Sequence, residues 1–226
     1  MSEWWTYTLS DFLLFSARTY HRLFEIYNAA IWPAQIVAVG LGVAIIALLR
    51  RAASSRGRIV AAILAACWLW VAIAFHAKRY ATINTAGIHF AWAFGVEAAL
   101  LIWIGGRLQF EWPEDPAGRV GLWIFLFALV VEPLVGPLLG RGWQGVEIFG
   151  VAPDPTVIAT LGLLLLAKGR GRGWLMVIPA VWCAITGATL LAMKAPDAWI
   201  APLAAVVASM LVVWQARARG GRLPRV

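Results

Sequence analysis

The sequence predicts an all-α integral membrane protein: about seven transmembrane helices, the fifth of them broken, preceded by an amphipathic helix at the membrane interface. Three observations predict it. Residues of the set AVILMFWYC make up 62% of the 226, only 13% are charged, and the mean hydropathy is +0.79; a soluble core of this size needs far more polar surface. The apolar residues fall in runs of about 20, the length that crosses about 30 Å of hydrocarbon. The basic residues gather in the short connections between those runs and in the tail, a distribution that sets orientation in a membrane. There is room for roughly six to eight spans, so residues 1–226 are read as a single polytopic domain.

The elements follow in order. Residues 1–9 carry no basic region ahead of an apolar core, so no cleaved signal peptide is expected and the first span serves as the insertion signal. Residues 10–28 read as a helix that Ser10 and Asp11 would start. Leu13, Tyr20, Phe24 and Tyr27 share one face, with Arg18, His21, Arg22 and Glu25 largely elsewhere. That pattern suits a helix lying in the interface; a short helix packed over the mouth of the bundle is the alternative. Spans are expected near 30–49, with Pro33 in the first turn where proline is tolerated, then near 59–76, 88–106 and 120–140. A fifth, 148–167, holds Gly150 and the Pro153-Asp154-Pro155 break. The last two lie near 174–193 and 198–214.

Orientation follows from counting. With seven spans and the N-terminus outside, the inner loops and tail hold 13 Lys and Arg against six on the outer side. If 148–167 does not cross, the split becomes seven inside to 12 outside. The positive-inside rule therefore favours the crossing and places the C-terminus in the cytoplasm. Trp32, Trp70, Trp92, Trp143 and Trp199 fall near the outer interface, and Trp103, Trp112, Trp174 and Trp214 near the inner one, as an aromatic belt at each face requires.

Composition also excludes functions. The net charge of +8 is accounted for by membrane orientation, and no basic patch interleaved with aromatics offers a face to nucleic acid. Cys67 and Cys183 sit inside apolar runs without a CxxC spacing and read as small core residues. The last span has no lysine for a retinal Schiff base, and neither a P-loop nor GxSxG occurs. No cofactor is required by the sequence. The expected partners are membrane lipid and either another membrane protein or a second copy of the chain.

Candidate chemistry centres on Glu132–Thr156, a stretch with four prolines, five glycines and three acids set among apolar spans. Such disruption at membrane depth is rarely without a purpose. Glu132 precedes Pro133, which removes an amide donor and invites a helix break of the kind found in transporters. Asp154 before Pro155 reads as the N-cap of a helix beginning near Thr156. Glu97 lies in the middle of its span, where an ionised carboxylate is costly unless paired or hydrated, and is expected to join Glu132 and Asp154 as a polar binding site. No catalytic residue is evident. His76 and His89, 12 residues of connection apart, close one span and open the next; both imidazoles at one depth would suit a metal or a haem, whereas two interfacial histidines with satisfied hydrogen bonds are the plainer reading.

Four stretches together carry a resemblance: YHRLFEIYNAAIWPAQ, FHAKRYATINTAG, the Glu132-Pro133 helix end, and FGVAPDPTVIATLGLLLL. They resemble an uncharacterised bacterial family of small polytopic inner-membrane proteins, a domain of unknown function, over most of the chain up to about Leu166. The resemblance implies a multi-helix membrane bundle and brings no activity with it. Relatives often carry a cysteine where this chain has Asp154, which argues against a metal-thiolate site here. Three functions stand open: a small-solute or proton-linked transporter with a polar site in the outer half of the bundle, an accessory or scaffold subunit, and a haem- or metal-binding redox protein.

Overall fold

Ser16 starts the first helix. Its backbone is extended and its hydroxyl accepts a hydrogen bond from the Thr19 amide at 3.1 Å, satisfying one of the free donors of a helix start. In this computed structural model, which describes residues 14–51 and 55–220, helix α1 runs Ala17–Ile31 and buries Tyr20, Leu23, Phe24 and Tyr27. Three of these four are the face read from the sequence. The described helix starts at Ser16; Ser10 and Asp11, where the sequence suggested a start, lie outside the described residues. At Trp32-Pro33 the chain turns by 88° into α2, Ala34–Arg50. The expected first span thus begins late: residues 30 and 31 complete α1, and Pro33 precedes the first turn of α2 instead of occupying it.

Helix α3, Arg56–Trp70, continues as a π-helix over Val71–Ala77. Helix α4 is Gly87–Trp103. Helix α5, Pro116–Leu126, begins several residues before the expected span, because the Asp115 carboxylate accepts from the Gly118 amide at 2.6 Å and Pro116 fits the first turn. It passes through a π-helical turn, Phe127–Val131, directly into α6, Glu132–Leu138. The anticipated break at Pro133 is therefore absent. The wider turn before Glu132 accommodates a residue that has no amide to donate, and the helix goes on. Helices α8, Val177–Ala192, and α9, Ile200–Gly220, complete the long elements. Five helical stretches are long and apolar enough to cross a membrane, and the bent α1–α2 pair makes a sixth if taken as one span.

Helix α7, Pro153–Leu166, is different in kind. All of its 14 residues are buried. At about 1.5 Å per residue it is roughly 21 Å long, short of a full crossing. It is enclosed by α3, α5, α8, α9 and the π-turn after α5. Its approach to α5 is glycine on glycine: a Cβ on Gly121 would stand 2.5 Å from the Gly162 carbonyl oxygen, and one on Gly162 would stand 2.6 Å from that of Gly121. The two backbones meet because neither residue has a side chain.

Both ends of α7 are tied. At one end β2, Ala167–Lys168, pairs antiparallel with β1, Gln109–Phe110. There the buried Arg172 guanidinium donates to the Ala167 carbonyl at 2.9 Å and to Gln215 Oε1 at 2.8 Å, closing carbonyls that a helix C-terminus leaves free. At the other end residues 148–152 form a turn, buried from Phe149 onward, that replaces the first part of the expected fifth span. Gly150 takes φ +84°, its amide donates to Thr156 Oγ1 at 2.8 Å, and the Tyr27 hydroxyl donates to the Val151 carbonyl at 2.7 Å. Irregular backbone amid apolar helices is tolerated because protein groups satisfy it.

Candidate functional site

The buried start of α7 leaves a polar space around it. A cavity of about 40 Å³ is lined by His21, Glu132, Arg141, Glu147, Asp154 and Asp197, with small and aliphatic residues between them. That volume holds roughly three waters. The six polar side chains arrive from five parts of the chain. His21 comes from α1 and Glu132 from the first turn of α6. Arg141 and Glu147 stand on the connection from α6 to α7, and Asp197 on the connection from α8 to α9. Asp154 lies in the first turn of α7.

Asp154 does not cap its helix, contrary to the reading from sequence. The helix begins at Pro153, so Asp154 is already within the first turn and its carboxylate is turned sideways towards α8. Oδ1 accepts from the Trp182 indole N–H at 2.7 Å and Oδ2 from the Thr186 hydroxyl at 2.8 Å. The residue is only 6% exposed. The positive end of the α7 dipole adds to these donors in favouring negative charge here.

The remaining acids are less completely served. Arg141 pairs with Asp197, yet Arg141 Nε and Asp197 Oδ1 are shut off from solvent without a partner, as are Glu132 Oε2 and Glu147 Oε2. One guanidinium thus faces four carboxyl groups. Burial holds the Glu147 carboxyl well above its ordinary range, the nearby Asp154 pushes the same way, and Arg141 opposes both. Burial and then Arg141 lower the His21 imidazole, so it adds no firm positive charge to the cavity. The space is small, acidic and incompletely hydrogen-bonded, suited to water and protons.

Of the residues singled out from sequence, Glu132 and Asp154 come together here. Glu97 does not line the cavity. It is carried by α4, which packs mainly on α3 and its π-helical end, and it is fully buried with neither carboxyl oxygen partnered. His76 lies in the π-helical end of α3, also fully buried and with both ring nitrogens unpartnered. Aromatic rings surround it: Phe94 at 4.4 Å, Trp182 at 4.8 Å and Phe90 at 5.9 Å between centroids. Trp182 therefore touches His76 with its ring and Asp154 with its N–H. His89 is exposed on the surface of α4, so the two histidines do not form a paired ligand set. Among the described residues no three of His, Cys, Asp and Glu stand close enough to hold a metal ion.

Sequence reasoning missed His21, Arg141, Glu147 and Asp197. Glu147 and Arg141 lie within the breaker-rich stretch but in neither of the spans expected around it, 120–140 and 148–167. His21 and Asp197 gave no local signal, because only the fold brings α1 and the α8–α9 connection to the start of α7.

A family model described as "Family of unknown function (DUF6064)" matches residues 17–222. No curated protein and no solved structure matches the chain.

Proposed function

The chain belongs to the DUF6064 family of unknown function, and from that premise we propose that it is a multi-pass membrane protein that takes up and passes protons, as part of proton-linked transport. The observation that carries this reading is the cavity of four carboxyl groups and one arginine at the buried start of α7. Desolvated like charges at close quarters are relieved by sharing protons, and the space admits water but no organic solute of ordinary size. A half-length helix pointing its N-terminus at a polar site inside the bundle is an arrangement that transporters use. Behind Asp154, across the Trp182 ring, His76 is buried without a partner; it and Glu97, buried without a partner on α4, supply further groups able to hold a proton. Each of Glu132 and His76 sits at or within a π-helical turn, a local widening often found at functional sites.

In this reading the protein lies in a bacterial inner membrane with its N-terminus outside and its C-terminus in the cytoplasm, so the acid cavity opens towards the outer face. The orientation rests on the 13-to-six division of Lys and Arg, which counts the turn at 148–152 and α7 together as one crossing, from the connection after α6 to the strand pair at Ala167. Purified protein in liposomes carrying an internal pH dye tests the function. After an imposed pH step, wild type dissipates the gradient faster than protein-free vesicles, and Asp154→Asn and Glu97→Gln return the rate towards the leak. A wild-type rate equal to the leak, or variants as fast as wild type, would contradict proton passage.

A further inference from the structure

A second, larger space lies on the far side of the wall that closes the acid cavity. It is an open, mostly apolar groove of about 830 Å³ between α1, the start of α2 and residues 143–148. The connecting segment serves both spaces: Gly145 and Glu147 line the acid cavity, while Trp143, Gln144, Val146 and Ile148 line the groove. Asn28 fastens that segment to α1 by donating to the carbonyls of Gln144 at 2.9 Å and Val146 at 2.8 Å. The groove is thus a built feature with a fixed wall.

Its polar groups ask for a particular visitor. Gln35 lines the groove and is only 8% exposed; its Nε2 donates to the Asn28 carbonyl at 2.8 Å, and its Oε1 is shut off from solvent without a partner. A buried acceptor left empty costs free energy that a bound N–H or O–H donor recovers. Arg22 and Glu25 form an ion pair on α1 and both line the same groove, so the polar rim is itself zwitterionic. Trp32 and Trp143, 67% and 69% exposed, stand at the groove, and tryptophan in such positions favours the level of lipid headgroups. Ile26, Ala30 and Ile148 supply apolar lining.

We infer that the groove binds a phospholipid whose zwitterionic headgroup carries N–H donors, a phosphatidylethanolamine. Its phosphate meets Arg22, its ammonium meets Glu25 and draws the Gln35 Oε1, shut off from solvent in the empty groove, round into a hydrogen bond, and an acyl chain covers the apolar lining. Phosphatidylcholine has the same charges and no N–H, and so leaves Gln35 unsatisfied. This inference stands apart from proton passage: it concerns a different space and needs no transport.

The test uses the full-length protein in vesicles containing equal phosphatidylethanolamine and phosphatidylcholine, with retained lipid quantified after gentle detergent extraction. Wild type is expected to retain the ethanolamine lipid at roughly tenfold over the bulk ratio, the scale of one hydrogen bond from a charged donor. Gln35→Leu brings the ratio back towards bulk. Replacing the ethanolamine lipid by its N-monomethyl and N,N-dimethyl forms in wild-type experiments tests the donor without altering the fold, and retention is expected to fall at each step. A bulk ratio in wild type, or retention indifferent to headgroup methylation, would overturn the inference.

Discussion

Asp154 shows how one side chain is held and what it holds in turn. Its two oxygens take the Trp182 N–H and the Thr186 hydroxyl. The hydroxyl can rotate to another acceptor; the indole N–H points where the ring points. Asp154→Ala therefore strands a buried donor and is expected to cost about 1–3 kcal/mol of stability, read as a lower midpoint in thermal unfolding in detergent. Asp154→Asn keeps an oxygen for Trp182 and is expected to lose clearly less; equal losses would mean that Trp182 does not depend on this oxygen. The sequence marked Asp154 through its prolines and assigned it a cap, a local job. Its true partners lie 28 and 32 positions away on α8, and no local pattern announces them. Glu97 was legible as a buried acid from its place in mid-span alone, since an acid inside an apolar run must face the interior. That it would stand apart from the other acids was not legible, because the facing of α4 is set by its packing on α3.

At the scale of elements, the long helices could be read from apolar runs, with ends displaced by a few residues where a cap decided the matter, as Ser16 and Asp115 do. All nine tryptophans assigned to the two interfaces are exposed. The π-helical turns at Val71–Ala77 and Phe127–Val131 left no trace in the pattern, because one extra residue in a turn shifts a mostly apolar face without exposing anything polar. The central position of α7 was half legible: a short run with a break before it, too brief for a full crossing. Its close approach to α5 follows from the Gly121–Gly162 pair. The glycines of the long helices split in the same way. Gly42 meets the Leu129 side chain, whereas Gly40 and Gly95 face open space. Gly162→Ala is expected to separate α7 from α5 and to destabilise by about 1–3 kcal/mol or more, since the clash is with backbone, which cannot swing aside as a side chain can. Gly95→Ala, on an open face, is the control and is expected to leave the unfolding midpoint nearly unchanged. Equal effects of the two would refute the close contact.

The whole molecule is a shell of long apolar helices around one short helix whose two ends are treated differently. The end at Ala167 is closed by Arg172, a strand pair and the Lys168–Glu111 ion pair. The end at Pro153 opens on a cavity where four carboxyl groups, one guanidinium and an imidazole meet. That asymmetry is the basis for reading the protein as a proton-handling device, and it depends on the acids sharing protons in the folded state. Infrared difference spectroscopy between acid and alkaline pH, in the protonated-carboxyl stretching region, measures this most directly. Wild type is predicted to show carboxyl bands that vanish as pH rises, and Glu132→Gln and Asp154→Asn are each predicted to remove or shift part of that signal. A wild-type spectrum without such bands, or one that neither substitution changes, would contradict the account.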